Sequence, residues 1–326
     1  MSKGLLFTRD KKKLEKLQYE MDIRNIEANY LIEIPKKVYK YTNVQRYVIE
    51  NLNNNYVSAS LAKKFNDIKD SIMMTNNREN IIREYDESVN IAKKAGYEWP
   101  VSKDIHINNS LQRMNHMKGY LRETTYVLCL TSNYPSEYMS GMYSNNEGIV
   151  IEYDTTNQIF QNIYPVVYGI EPLEVQSLVD LGTDESLEIA MLLSATYKNL
   201  SWQHEEEWRY LLKLSYPNKK LGDYIPLITD TPSSIYLGLN YFDLFKNNHT
   251  INEAMKNKVE LLTVCYEKAI SVKYEKLFID EISTFSFDVE LFYDYGLKYL
   301  EGDLSNSQLM NIIENIQKIT YKVTDI

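Results

Sequence analysis

Cysteine is nearly absent: Cys129 and Cys265 are the only two in 326 residues. Two isolated thiols cannot build a disulfide framework. Each lies in an apolar run patterned like a strand, which suits free buried cysteines in a reducing compartment. The four histidines, His106, His116, His204 and His249, are scattered without the spacing of metal ligands. No cysteine pair accompanies them, so no metal is expected. Glycine-rich phosphate loops are missing, which excludes a P-loop and a Rossmann fingerprint. No run approaches the ~20 apolar residues of a membrane-spanning helix. The opening residues carry only a short apolar patch, Leu5 to Phe7, ahead of Arg9, Asp10 and Lys11 to Lys13, which does not fit a secretory signal. These absences lead to the expectation of a cytoplasmic protein with no membrane partner.

Basic charge is also scarce. The net charge is −9, and no basic block exceeds Lys11 to Lys13. A field of that sign repels polyanions and argues against non-specific nucleic-acid binding, while leaving room for a local basic groove. What the chain does have is bulk: 44% of its residues are hydrophobic and 25% charged, enough for a sizeable core in one large domain or two small ones.

Hydrophobic periodicity orders the chain as follows. Residues 9–31, with Leu14, Leu17, Met21, Ile23 and Ile26 near helical spacing, predict an amphipathic N-terminal helix. Val38 to Thr42 and Tyr56 to Ser60 read as strands around a short helix over Val44 to Leu52. Residues 67–122 read as mainly helical, broken around Gly96 to Pro100. Strands return at Tyr126 to Thr131, Ile149 to Tyr153 and Val166 to Tyr168. Thr183 or Asp184 caps a buried helix running to Leu200. Glu207 to Leu214, Tyr224 to Ile228, Ile235 to Leu239, Val259 to Tyr266 and Val272 to Tyr274 read as further strands. Two helices, about 288–301 and 304–320, follow. Clustered strands with inserted helices and no regular βαβ alternation give an α+β class. The expected organisation is a helical extension over 1–34, a main domain over 35–278 with a helical insertion at about 67–122, and a helical extension over 279–326.

Four segments carry a resemblance. They are Val38-Tyr39-Lys40-Tyr41 followed by Phe65-Asn66-Asp67; Cys129-Leu130-Thr131-Ser132 leading to Met139, Tyr143, Gly148 and the strand to Tyr153; Lys198 with Trp202, His204, Glu205, Glu207, Trp208 and Arg209; and Ile235-Tyr236-Leu237-Gly238. In order and spacing they resemble bacterial domain-of-unknown-function family 2971, across roughly residues 36–278. The Trp-x-x-Glu-x-Glu-Trp-Arg segment is the most specific. Two departures stand out. Ser140 and Met142 occupy positions where the family usually has Trp and His, and Thr42 stands where it tends to have Arg; both bear on whether chemistry is retained. The resemblance implies a phage-defence or prophage setting. It also implies an ADP-ribosyltransferase-like layout, a split or curved, mainly antiparallel sheet with inserted helices.

That layout gives the acidic segment its meaning. If Glu205 begins a strand, a period of two sets Glu205, Glu207 and Arg209 on one face and Trp208, Tyr210, Leu212 and Leu214 on the other. Two carboxylates two residues apart resemble the Glu-x-Glu motif of arginine-type ADP-ribosyltransferases. Cleaving a nicotinamide–ribose bond develops oxocarbenium charge that one carboxylate can stabilise, while a second handles the acceptor. The same pattern also suits a solvated strand face whose Arg209 pairs with a glutamate. Thr131 and Ser132 follow a strand, where the resemblance places nicotinamide support, and where turn chemistry is equally at home. Tyr39, Tyr41 and Tyr143 fit either cofactor contact or aromatic packing. Asn66 and Asp67 read first as a turn or cap, with Asp67 opening a helix; with Trp202 and Arg209 they complete the supporting set. The leading expectation is an NAD-using, ADP-ribosyltransferase-like effector. Glu207 is its main carboxylate and Glu205 its support; a protein or nucleic acid is the acceptor, and a defence-system or phage protein a partner. A non-catalytic sensor or binding module stands second. A metal-dependent nuclease using Asp67, Glu152 and Glu207 stands third.

Overall fold

The computed structural model describes the chain except residues 1–3, 16–17, 19–25, 32, 68, 72–73, 76–77, 175–183, 215–220, 248–249, 279–280 and 325–326. The strands, in chain order, are β1 (Gly4–Thr8), β2 (Ile26–Tyr30), β3 (Lys37–Thr42), β4 (Tyr56–Leu61), β5 (Met74–Thr75), β6 (Thr125–Thr131), β7 (Ile149–Asp154), β8 (Tyr164–Pro165), β9 (Val167–Gly169), β10 (Leu173–Glu174), β11 (Tyr197–Asn199), β12 (Glu207–Lys213), β13 (Tyr224–Ile228), β14 (Ser234–Leu237), β15 (Ser271–Phe278) and β16 (Glu281–Ser286). The helices are α1 (Arg46–Asn53), α2 (Arg78–Lys94), α3 (Lys103–Thr124), α4 (Glu137–Ser144), α5 (Asp184–Ala195), α6 (Asp243–Asn247), α7 (Glu253–Glu267), α8 (Val289–Glu301) and α9 (Asn306–Thr324). The class is α+β with a mostly antiparallel central sheet.

Ten strands form that sheet, in the order β13-β4-β6-β3-β7-β14-β15-β16, with β12 on β6 and β8 on β12. Only β14 and β15 run parallel within it. The sheet branches at β6. One edge of β6 pairs with β12 along its whole length, from Thr125↔Lys213 to Thr131↔Glu207. The other edge is shared: Tyr126 and Val127 pair with β4, Thr131 pairs with Tyr39 of β3, and the middle residues have no ladder partner on that side. β3 and β4 therefore diverge from a common strand and leave a gap.

Alternation explains the faces. Val38 of β3, Leu128 and Leu130 of β6, and Ile149 and Ile151 of β7 point into the largest core, closed by α1, α7, α8 and α9. Tyr39 and Tyr41 point the other way, joining Met139, Tyr134, Tyr143, Val150 and Tyr236. Trp208, Tyr210 and Leu212 of β12 pack on the large core, as the period of two requires. A second core gathers Leu6, Ala28, Met114, Leu121 and the apolar residues of α5.

The differences from the sequence reading have physical causes. Of residues 9–31, 11–15 and Gln18 are helical, but the helix does not extend over Ile26–Tyr30, which forms β2 and pairs in parallel with β1. Leu17, Met21 and Ile23 lie outside the described residues. Val259 to Tyr266 is helix, not strand: an N-terminal cap, Asn252 Oδ1 accepting from Met255 N at 3.0 Å, starts α7. Its β-branched residues are tolerated because the helix is buried on most sides, so tertiary packing overrides propensity. Cys265 is accordingly helical. α5 stops at Ala195 rather than Leu200, giving way to β11 and a 3-10 turn; Thr183 lies outside the described residues. The sheet continues past residue 278 into β16. Among the described residues no helix is long and apolar enough to cross a membrane.

Candidate functional site

A cleft of about 260 Å³ opens beside the branch of the sheet. Its walls come from β3 (Tyr39, Lys40, Tyr41), the segment after β4 (Lys64 to Asp67, and Asp70), β6 (Cys129 to Thr131), α4 (Met139, Met142, Tyr143), β11 (Lys198) and the turn into β12 (Trp202, Glu205, Glu207). The register across the floor is direct, since Tyr39 lies opposite Thr131 and Thr131 opposite Glu207.

The two glutamates reach this cleft by a route the alternation argument did not contain. Glu205 does not begin a strand. It ends a 3-10 helix, Leu200–Glu205, opened by Asn199, whose Oδ1 accepts from Ser201 N at 3.0 Å. Glu206 then adopts φ +44° and ψ +50°, the left-handed region. That residue reverses the chain, so Glu205 at the end of the turn and Glu207 at the start of β12 converge on one ammonium.

Lys198 Nζ donates to Glu205 Oε2 at 2.6 Å and to Glu207 Oε2 at 3.2 Å. Arg209, with no exposed surface, donates from Nε to Glu207 Oε1 at 2.8 Å and from Nη2 to Glu207 Oε2 at 2.9 Å. Its far side grips both oxygens of Asp70 at 2.7 Å and the Ala195 carbonyl at 2.7 Å. Bidentate pairing of this kind fixes orientation as well as charge. Tyr143 donates its hydroxyl to Glu205 Oε1, and Trp202 lies 4.8 Å from the Lys198 ammonium. Thr131 Oγ1 donates to the Glu205 carbonyl at 2.5 Å, and Asn133 Nδ2 to the His204 carbonyl at 2.9 Å, tying the turn to the end of β6.

Two lysine and arginine cations thus meet three carboxylates, and the two glutamates part company. Burial opposes the ionisation of Glu207. The charges of Arg209 and Lys198, with their hydrogen bonds, outweigh it and hold its carboxyl down at about 2. Glu205 shifts the opposite way: burial and the neighbouring Glu207 charge raise it, against the pull of Lys198 and Tyr143. Burial pushes the Cys129 thiol well up, so it is a protonated wall residue.

Of the residues singled out in the sequence, Tyr39, Tyr41, Asn66, Asp67, Thr131, Tyr143, Trp202, Glu205 and Glu207 line one cleft. Ser132 does not. Its backbone N–H donates to the Glu206 carbonyl at 3.2 Å, and its half-buried side chain lies beside Glu206. Arg209 sits behind Glu207, away from the cavity surface. Asp67 opens no helix; its Oδ1 accepts from Lys69 N at 2.8 Å in a turn. Glu152 is turned to a different group, Lys37, Ser233 and Tyr236, so it does not join Asp67 and Glu207. Met142 is more than half exposed at the rim, Ser140 is buried in α4, and Thr42 is buried at the end of β3. Sequence reasoning missed Asp70, which no motif marks, and underused Lys198, which lay in the Trp-x-x-Glu segment. Among the described residues no three His, Cys, Asp or Glu side chains are grouped to hold a metal ion. No family model, curated protein or solved structure matches this chain.

Proposed function

We propose that this cleft is the site of an ADP-ribosyltransferase-like enzyme, a member of family 2971, that takes NAD and breaks its nicotinamide–ribose bond as an effector of bacterial defence. The observation that carries the reading is the register Tyr39–Thr131–Glu207 across three adjacent strands, with Glu205 and Tyr143 closing on the same cavity. It brings together segments that lie as far apart in the chain as Tyr39 and Glu207.

The divided titration of the two glutamates supports distinct roles. Glu207, ionised at any physiological pH, supplies the fixed negative charge that opposes a developing oxocarbenium ion. Arg209, itself fixed by Asp70, and Lys198 hold it, so no reorganisation is needed when the charge appears. Glu205, whose carboxyl is raised, is the group suited to move a proton to or from the acceptor. The Tyr143 ring offers a face for nicotinamide.

Purified protein is expected to release nicotinamide from NAD. Glu207→Gln should lower the rate about a hundred- to thousandfold, the ~2.7–4 kcal/mol typical of one preorganised electrostatic contact. Glu205→Gln should remove that carboxyl's ionisation limb from the pH–rate profile. A second reading, a non-catalytic binding module, is favoured by one observation: every oxygen of Glu205 and Glu207 already has a partner within the protein. NAD that binds by calorimetry but is not consumed, with or without cellular lysate, would establish that reading instead.

A further inference from the structure

The size and the charges of the cleft narrow what it can hold. At about 260 Å³ it falls below the ~300–1,000 Å³ of pockets that enclose a drug-sized molecule. A dinucleotide is larger still, so only part of one fits inside. The walls suit a flat ring, because Tyr39, Phe65, Tyr143 and Trp202 reach them from four different segments.

A phosphate needs a cation that is not already neutralised, and the cleft-lining residues supply none on the cavity face. Lys198 donates to Glu205 and Glu207. Lys64 is joined to Asp223 at 2.9 Å. Arg209, behind the wall, is taken up by Glu207, Asp70 and the Ala195 carbonyl. Lys40 leaves β3 on the opposite face from Tyr39 and Tyr41, the face of Val38, with Ile151 as its cross-strand neighbour. There it borders a narrow crevice with Asn51 of α1 and Ser58 of β4.

The balance that remains is negative. Asp70, Glu205 and Glu207 surround Lys198 and Arg209, three carboxylates against two cations. Asp67 adds another carboxylate at the mouth. A proton on Glu205 would even out the first group and still leave Asp67. Two of the wall rings already rest against internal cations: Lys198 Nζ is 4.8 Å from the Trp202 ring centre, and Arg209 Cζ is 5.2 Å from that of Phe65. Such rings favour positive charge.

We propose that the cleft encloses a phosphate-free, cationic ring bearing a ribose, the nicotinamide riboside end of its ligand, and leaves any pyrophosphate outside. This rests on reading the cleft as a site for the nicotinamide–ribose bond. Cleavage then removes the ring's charge. The C1′–N electron pair passes to the ring nitrogen, a water oxygen bonds to C1′, and the water's proton goes to the Glu205 carboxylate. A negative cleft therefore favours the cationic ring before cleavage over the neutral nicotinamide after it.

Calorimetry with nicotinamide riboside, its neutral 1,4-dihydro form, nicotinamide mononucleotide and NAD tests this, with nicotinamide release followed for the three oxidised compounds. The riboside should bind within about tenfold of the mononucleotide and of NAD, and at least about tenfold more tightly than the dihydro form. A larger gap to either phosphorylated ligand, or a smaller one to the dihydro form, overturns the proposal. Cleavage of NAD with no binding of the riboside removes this inference and leaves the enzyme reading standing. Riboside that binds as expected while no nicotinamide is released does the reverse. If none of the four binds, both fall.

Discussion

Glu206 and Glu275 show how single residues carry cost in this molecule. At φ +44° Glu206 occupies a conformation that a side chain with a Cβ disfavours by ~1 kcal/mol. It is held there because Glu205 and Glu207 must face one lysine, an instance of strain kept beside a candidate site. Glu206→Gly should therefore raise stability by ~0.5–1 kcal/mol, read as a higher urea midpoint with unchanged slope. Glu275 is 4% exposed and has one oxygen without a partner; burial is the main cause that lifts its carboxyl from 4.5 to about 6. The folded state then binds this proton more tightly than the unfolded state does, so stability falls as pH rises from about 4.5 to about 6. Glu275→Gln should gain up to ~2 kcal/mol relative to wild type above pH 6, and lose that gain below pH 4.5. The pH dependence of the denaturation midpoint of both proteins checks the sign. Neither residue was legible in the sequence. Glu206 looked like one charge in a strand, and Glu275 meets Tyr134 of the β6–α4 loop, far away in the chain.

Among the elements, short alternating strands were the easiest to read. β3, β6, β7 and β12 were all legible as short runs rich in β-branched and aromatic residues, even though β6 and β7 are buried on both faces. Two kinds of segment were not. α7 hid its helical period because Val259, Leu261, Leu262, Thr263, Val264 and Cys265 are all buried, and a segment buried on most sides has no polar stripe to reveal its turn. The 3-10 helix before β12 is too short for any periodicity, which is why the facing of Glu205 and Glu207 was expected for the wrong geometric reason. Packing between elements is equally exacting. A Cβ on Gly148 would stand 2.3 Å from the Thr42 carbonyl oxygen and 2.7 Å from Ser144 Cβ. Gly148→Ala should thus force β7, α4 and the end of β3 apart, at ~1–3 kcal/mol. The measurement is the denaturant midpoint. An unchanged midpoint would show that the close approach relaxes freely.

At the scale of the whole molecule, two cores meet along one pair of strands. β12 sends Trp208, Tyr210 and Leu212 to the larger core and Leu211 to the smaller one, which rests on α3, α5 and the β1–β2 pair. A smaller core opens at lower free energy. Native-state hydrogen exchange should accordingly resolve two cooperative units, with amides of α5 exchanging through a cheaper opening than those of α7. A single shared opening energy would show instead that β12 welds the cores together. The branch at β6 also has an evolutionary side. Because the cavity is the space left by diverging strands, its floor residues, Cys129, Leu130 and Thr131, are at once wall and framework, and a change there alters shape and stability together. Met142, Lys64, Asp67 and Trp202 stand on the turn and helix segments around the mouth, and can be exchanged with far less disturbance to the sheet. Descendants of this chain therefore have one inexpensive direction in which to change what the cavity admits: the mouth diversifies while the floor stays as it is.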